Sequence, residues 1–469
     1  MIKQKINNNE TIRIIRPFFT KKNEPAYIVG GFLRDCLTDT NKKYSDIDIV
    51  TEKGHAKNLS IELSDSINGY FIELDDINKI YRVVFADKIN YVDIADCTGS
   101  CIEDDLKRRD FTMNALAYEI KNDTLIDVAG SVEDIKKHLI REISPQNILD
   151  DPIRILRAFR FQSTLGFEFS DDLKQIVKEH AMLLHNTAKE RINVELVKLF
   201  GGKNIVETLY ALDEVKLLEL LFPQVTEIKK IPPNSHHHLD LFNHSIETVK
   251  QVQCFYDNAC DEVKSHLDEE IFGAASRLSY LKIGAFLHDV GKPSTWQIEP
   301  ETGRHRFIMH DSAGAKIIEP TLKNLKFSKK QTAYIQKIIK NHIYPAGVVT
   351  ADGANEKTYL RFYRKMGNEV IDLIAVAYAD RMSALGPEIT QEMIQKNIDG
   401  LKGLLNGYLK EKSKLAPLPK LLDGNEIMEI LNIPASPVLG EIIEKLKEAQ
   451  ISSDVNTKEE AIEFIKNLI

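Results

Sequence analysis

Two rhythms of apolar and polar positions run along the chain. Between Ala26 and about Ile143, short β-branched runs separated by turns predict strands at Ala26–Val29, Asp48–Val50, Tyr81–Phe85, Tyr91–Ile94 and Thr124–Val128, with a few helices between them. After Asn147 apolar residues recur at intervals of three and four, opening with Ile153, Leu156, Ala158, Phe159 and Phe161, which predicts helix almost throughout. Ile231-Pro232-Pro233-Asn234-Ser235 interrupts that pattern, and a second helical unit runs from about His236 to Leu385. Ala416-Pro417-Leu418-Pro419 marks another break before a short helical tail. The expected class is α+β. A helical extension (1–24) leads into a small α/β head (25–147), a helical neck (148–232), a second helical domain (233–390) and a helical tail (391–469).

Composition narrows this picture only a little. A chain of 469 residues is too long for one core and suggests two to four domains. Its longest apolar runs, Val29 to Leu33 and Leu373 to Ala377, are far too short to span a bilayer, so no membrane association is expected. The first twenty residues are polar and lysine-bearing, without the apolar core of a signal peptide. Five scattered cysteines make no disulfide framework and fit a reducing cytoplasm. Cys97 and Cys101, the only close pair, lack two further ligands nearby and read as ordinary thiols. The net charge of −8 excludes a basic coat. A local stripe of Lys107, Arg108, Arg109, Arg154, Arg157, Arg160, Lys189 and Arg191 would still suffice to hold phosphates. Nothing in the sequence assigns an oligomeric state.

Two constellations carry chemistry. In the first, Gly30-Gly31-Phe32-Leu33-Arg34-Asp35 closes a strand and opens a helix, and Ser45-Asp46-Ile47-Asp48-Ile49-Val50 follows. Strand alternation puts Asp46 and Asp48 on one face, where two carboxylates repel unless cations lie between them. A two-Mg²⁺ phosphoryl-transfer centre meets that need, activating a primer 3′-hydroxyl and neutralising the leaving group of a nucleoside triphosphate. The paired glycines allow close backbone approach to the triphosphate. Further on, Asp151 and Arg154 are expected to project together, three apart on a helix. A carboxylate accepting from an exocyclic amine and a guanidinium donating to ring acceptors could together read the edge of C or A.

Gly30-Gly31-x-x-Arg34-Asp35 with Asp46-x-Asp48 resembles the polymerase-β-type nucleotidyltransferases, in particular class II tRNA nucleotidyltransferases and bacterial poly(A) polymerases. Four more segments match in order. Arg108-Arg109-Asp110-Phe111-Thr112-Met113-Asn114 resembles the family's second motif, implying ribose and triphosphate contacts by Arg109, Asp110 and Asn114. Asp127-Val128-Ala129-Gly130, through Asp134 and Arg141, resembles the hinge motif. Asp150-Asp151-Pro152-Ile153-Arg154 through Arg157, Arg160 and Phe161 resembles the nucleotide-selecting motif, with Asp150 where the family usually has Glu. Glu190-Arg191-Ile192 with Glu195 resembles the motif that follows. The resemblance implies template-independent addition of C and/or A to the tRNA 3′ end from CTP and ATP, with Asp46 and Asp48 as catalytic Mg²⁺ ligands. The link between Asp93 and Arg108 is shorter than the flexible loop of many complete CCA-adding enzymes. It is similar to enzymes of lineages that divide the work between a CC-adding and an A-adding protein. Asp93 itself is a candidate third acid.

The second constellation is His244, then Phe286-Leu287-His288-Asp289-Val290-Gly291-Lys292, then His310, His342 and Asp380. Imidazole and carboxylate suit hard or borderline divalent ions, whose bound water can hydrolyse a phosphate ester. The ordered series resembles the HD phosphohydrolase superfamily, which implies a metal site for Ni²⁺, Mn²⁺ or Mg²⁺. His236-His237-His238-Leu239-Asp240 resembles the start of HD domains fused to tRNA nucleotidyltransferases. Two alternatives remain at this level. One is a poly(A) polymerase, which shares the head motifs. The other is an HD phosphohydrolase whose head only binds RNA.

Overall fold

The computed structural model describes residues 2–38, 46–273, 275–351, 355–414, 419–451 and 454–468. The chain forms two compact units, residues 1–220 and 221–469.

The first unit opens with two helices, Ile2–Asn8 and Glu10–Thr20, the second burying Ile12, Ile15 and Phe19. Seven strands follow: β1 (Ala26–Val29), β2 (Asp46–Thr51), β3 (Tyr70–Asp75), β4 (Ile80–Val84), β5 (Tyr91–Asp96), β6 (Leu116–Glu119) and β7 (Thr124–Asp127). They form one sheet in the order β3-β4-β5-β2-β1-β6-β7. Only β2 and β5 run parallel, and their register sets Asp48 directly beside Asp93. The Ala56–Ser66 helix packs on β3, β4 and β5, where Ile47, Tyr81, Val83, Val92 and Ile94 are buried. Beyond the sheet, the Ile153–Leu165 and Lys189–Phe200 helices pack against each other. Five of the seven strands lie where the β-branched runs predicted them. β3 and β6 were not read from the sequence. β6 is buried along almost its whole length, so it shows no alternation.

The second unit is almost wholly helical, apart from short hairpins such as Trp296–Ile298 with His305–Phe307. Its core helices are Leu241–Asp257, Arg277–Leu287, Lys329–Asn341 and Val370–Ser383. Helices Gly424–Leu431, Pro437–Ile451 and Lys458–Lys466 gather at the C-terminal end around Ile427, Ile442, Leu446 and Ile465. Residues 415–418, where the sequence predicts a break, lie outside the described residues. No helix of the described residues is long and apolar enough to cross a membrane.

Candidate active site and metal centre

In the first unit, strand ends and two helices converge on an open cleft of about 470 Å³, within the range of ligand pockets. Its lining includes Gly30, Gly31, Arg34, Asp48, Arg109, Asp110, Asn114, Asp151, Arg154, Arg157 and Arg160, so nearly every nucleotide-site residue expected from sequence meets here. Asp46 occupies the first position of β2, and its side chain lies outside the described residues. Gly30 has φ +79°, and a Cβ there would sit 2.9 Å from Asp48 Oδ2. Only glycine satisfies both the left-handed backbone and that close approach.

Buried carboxylates organise the cationic wall. Arg34 donates from Nε to Asp35 (2.8 Å) and from a terminal nitrogen to Asn114 Oδ1 (2.9 Å). Asn114 in turn donates to Asp110 Oδ1 (3.0 Å), which also accepts from the Phe111 backbone N–H (2.8 Å). Asp110 Oδ2 takes two contacts from Arg157, at 2.8 and 2.7 Å. Burial disfavours a charged Asp110, but Arg157, Asn114 and the Phe111 N–H outweigh it and hold the carboxyl below its usual range. Arg157 reaches on to Glu195 (3.1 Å), and Arg160 Nε stands 2.6 Å from the other Glu195 oxygen. That second contact is close but poorly aligned, so it is electrostatic rather than a formed hydrogen bond. The Arg160 guanidinium lies 3.9 Å from the centre of the buried Phe161 ring. Arg109 is fixed by Asp105 and by the carbonyl of Asn114.

The expected Asp151–Arg154 helix pair needs correcting. Asp151 sits between two helices, Pro145–Asp150 and Ile153–Leu165, with extended φ −140°. Its carboxylate makes a two-pronged contact with Arg191, 2.8 Å at each oxygen, while Arg154 stands 3.9 Å away. Pro152, which lacks an N–H, caps the next helix, and this leaves Asp151 outside it. Arg154 is anchored instead through the carbonyls of Arg109 (3.2 Å) and Asn147 (3.1 Å). Sequence reasoning therefore missed Arg191 as part of this site. Its only signal was its place in the basic stripe and the motif around Glu190. Asp93 lies beside Asp48 as a third acid would, but Arg82 holds both of its oxygens, at 2.7 and 2.8 Å. Cys97 and Cys101 are free thiols.

In the second unit the histidine and aspartate series assembles from five elements. His244 lies on the Leu241–Asp257 helix and Asp380 on Val370–Ser383. His288 and His342 end two further helices, and His310 begins another, His310–Ile317. A Cβ on Gly291 would fall 2.0 Å from the His310 carbonyl oxygen, so a glycine there lets the His310 helix seat against the His288-Asp289 turn. Asp289 is the hub. One oxygen lies 3.1 Å from His288 Nε2 and 3.4 Å from His244 Nε2, and the other lies 3.1 Å from His310 Nε2 and 3.7 Å from His342 Nε2. Asp380 approaches His244 at 3.1 Å. His288, His310 and His342 each place Nδ1 2.6–2.8 Å from a backbone carbonyl three residues back, which keeps that proton on Nδ1 and presents a bare Nε2 inward.

Both Asp289 oxygens are buried among imidazole nitrogens, and the Nε2 atoms of His244 and His288 approach each other at 3.3 Å. Imidazole nitrogens and carboxylate oxygens gathered within 4.8 Å of one another make a donor set that fits a divalent cation. Burial pushes His342 down to about 4, so its imidazole is neutral. His237, not assigned to this site from sequence, joins it: Asn234 Oδ1 lies 3.2 Å from its Nδ1, and Lys292 Nζ lies 3.4 Å from its Nε2. Lys292 also pairs with Asp289 at 2.6 Å.

Family models match in the same order as these features. A poly A polymerase head domain matches residues 26–141, a probable RNA and SrmB-binding site of polymerase A matches 166–229, and an HD domain matches 241–385. The chain is 29% identical to the A-adding tRNA nucleotidyltransferase of Deinococcus radiodurans, covering 94% of this chain and 95% of that one. It is 28% identical to the CC-adding tRNA nucleotidyltransferase of Thermus thermophilus, covering 96% and 94%. Among solved structures, the Thermotoga maritima CCA-adding enzyme complexed with tRNA matches with a TM-score of 0.56 at 21% identity, over 100% of this chain and 97% of that one. Domain order, end-to-end coverage and the assembled cleft agree: the chain carries a poly A polymerase head, with the divalent-metal chemistry that head implies, and an HD domain, and along nearly its whole length it is similar to tRNA nucleotidyltransferases.

Proposed function

We propose that this protein adds C and/or A to the 3′ end of tRNA without a template, taking nucleotides from CTP or ATP and releasing pyrophosphate. The observation that carries this reading is the single cleft that unites Asp48, the Gly30-Gly31 turn and a wall of carboxylate-braced arginines. Asp46 and Asp48 would hold Mg²⁺, which supplies charge neutralisation at the reacting phosphate. Arg34, Arg109, Asn114, Arg157 and Arg160 would position the triphosphate and ribose. Asp151 and Arg154, with Arg191 aligning Asp151, would read the base edge. Domain boundaries near residues 25, 148, 233 and 391 fit this division of labour, as does a cytoplasmic location.

Within that reading, the protein performs part of CCA synthesis. Between Asp93 and Arg108 the chain finishes β5 at Asp96, crosses five residues (97–101) and enters the helix Ile102–Lys107. That leaves no length for a long mobile loop that could reshape the pocket from C to A. CC addition and A addition are both compatible with this geometry. The test is to supply CTP and ATP separately and together to tRNAs lacking all, one or none of the three terminal nucleotides, and to sequence the products. Efficient addition of all three nucleotides by this protein alone would refute partial activity. No addition to any of these tRNAs would refute the main reading.

The HD cluster supports a second activity, hydrolysis of a phosphate ester with a bound Ni²⁺, Mn²⁺ or Mg²⁺. The imidazole nitrogens of His244, His288 and His342 gathered around buried Asp289 favour a metal there. Metal analysis after incubation with each ion tests it, and a protein that takes up none of them would leave the cluster a scaffold.

A further inference from the structure

The sheet face that carries Asp48 extends past the cleft to the edge strand β3. On β3, Phe71 turns inward and stacks on buried Tyr81 with ring centres 5.8 Å apart, so its neighbours Tyr70 and Ile72 turn outward. Both are large and exposed, at 52% and 43%. Long apolar edge strands invite adventitious pairing, so such a stripe calls for a physical reason.

Strand register ties the stripe to the catalytic carboxylates. Ile72 pairs with Arg82, Arg82 with Asp93 and Asp93 with Asp48, forming one row across four strands. The adjacent row runs Tyr70, Val84, Tyr91 and Asp46. Cations sit over both tyrosines on this face. The Arg82 guanidinium lies 3.8 Å from the Tyr91 ring centre, and Lys88 Nζ lies 5.8 Å from that of Tyr70. Arg82 is held on the face by its two contacts to Asp93. An open sheet face with paired aromatics, apolar neighbours and fixed cations suits unpaired nucleotides, whose bases stack while their phosphates meet the cations.

We infer that the face from Tyr70 and Ile72 across Arg82 and Tyr91 toward Asp48 holds the unpaired 3′-terminal nucleotides of the acceptor RNA. Their bases stack at the β3 edge, and the terminal hydroxyl lies at the carboxylates. This rests on the proposal that Asp48 marks the reaction centre. Continuity of the rows with that centre favours RNA over a second protein chain, since the acceptor must cross this face or its border to reach Asp48.

The experiment uses the full chain and two tRNA transcripts, one lacking all of CCA and one ending in CC, so that a substrate exists for either specificity. Tyr70→Ser with Ile72→Ser should raise KM for the active transcript roughly ten- to hundredfold, the scale of losing one stacked base. KM for CTP or ATP should hold. Tyr70→Phe keeps the ring and should restore the tRNA KM when placed with native Ile72. An unchanged tRNA KM in the double variant overturns the inference. So does a wild-type dimer that the double variant splits while tRNA KM holds, because the face would then be a contact between copies. Asp48→Asn separates the two readings. If it abolishes addition while the double variant behaves as wild type, the reaction centre stands and the stacking face falls.

Discussion

Asp110 is the joint on which the cationic wall turns, and Asp110→Asn tests that directly. In the native protein one carboxylate oxygen accepts from the Phe111 N–H and from Asn114, and the other faces Arg157 at 2.8 and 2.7 Å. The isosteric amide must keep its oxygen toward the first two donors. Its NH₂ then points at the Arg157 guanidinium, donor against donor. Breaking a buried charge pair in this way costs about 3–5 kcal/mol. The Arg157 side chain retains 32% exposure and a second partner in Glu195, so the lower end, about 3 kcal/mol, applies. For a unit of this size that corresponds to a Tm about 6–12 °C lower. Because Asp110 is held below the usual carboxylate range, its contribution is present above the unfolded value of about 3.9 and is lost only as pH falls through the depressed folded value. The deficit should therefore be constant from pH 6 to 8. Differential scanning fluorimetry measures it, alongside single-nucleotide incorporation, which should fall about 100-fold once Arg157 is misplaced. Adding Arg157→Met removes the unpaired cation and should recover much of the Tm but none of the activity. A single variant within 1 °C of wild type, or a double variant no more stable than the single, would refute this account.

Three further outcomes follow from the same geometry. Gly30→Ala combines backbone strain of about 1–3 kcal/mol with a Cβ 2.9 Å from Asp48, and should cut kcat at least 100-fold while tRNA binding, measured by filter retention, holds. Arg191→Ala releases Asp151 from its two 2.8 Å contacts and should narrow the ratio of kcat/KM between the preferred and rejected triphosphates about tenfold, read by competition among all four. Asp289→Asn removes the charge shared by four imidazoles and should lower metal content to background by mass spectrometry, with nucleotide addition intact.

How much of this was legible beforehand depended on whether the information was local. Short β-branched runs between turns announced β1, β2, β4, β5 and β7, whereas β6, Leu116-Ala117-Tyr118-Glu119, holds no β-branched residue. The glycine turn and Asp48 were readable because one short stretch of backbone sets their geometry. The partner of Asp151 was not. Spacing of three put Asp151 and Arg154 on one helix, but Pro152 caps that helix and leaves Asp151 before it, and the two-pronged contact to its carboxylate comes from Arg191, 40 residues on. His237 was hidden for the same reason, since Lys292 is 55 residues away and only the fold brings them together. Residue identity announced the chemistry, and long-range packing assigned the partners.

That packing also resolves an apparent contradiction in charge. Arg34, Arg108, Arg109, Arg154, Arg157, Arg160 and Arg191 line one cleft in a chain of net charge −8. Left unpaired, so many guanidinia would repel one another and fold poorly. Arg154 is held by two backbone carbonyls, and the other six face carboxylates. Asp35 takes Arg34, Asp105 takes Arg108 and Arg109, Asp110 and Glu195 take Arg157, Glu195 approaches Arg160, and Asp151 takes Arg191. A guanidinium has five N–H donors and one carboxylate occupies at most two of them, so each brace fixes orientation while leaving donors for an incoming anion. The acids therefore do more than cancel charge. They supply the preorganisation that lets a triphosphate bind without reorganising its host, which is the condition under which such contacts assist catalysis.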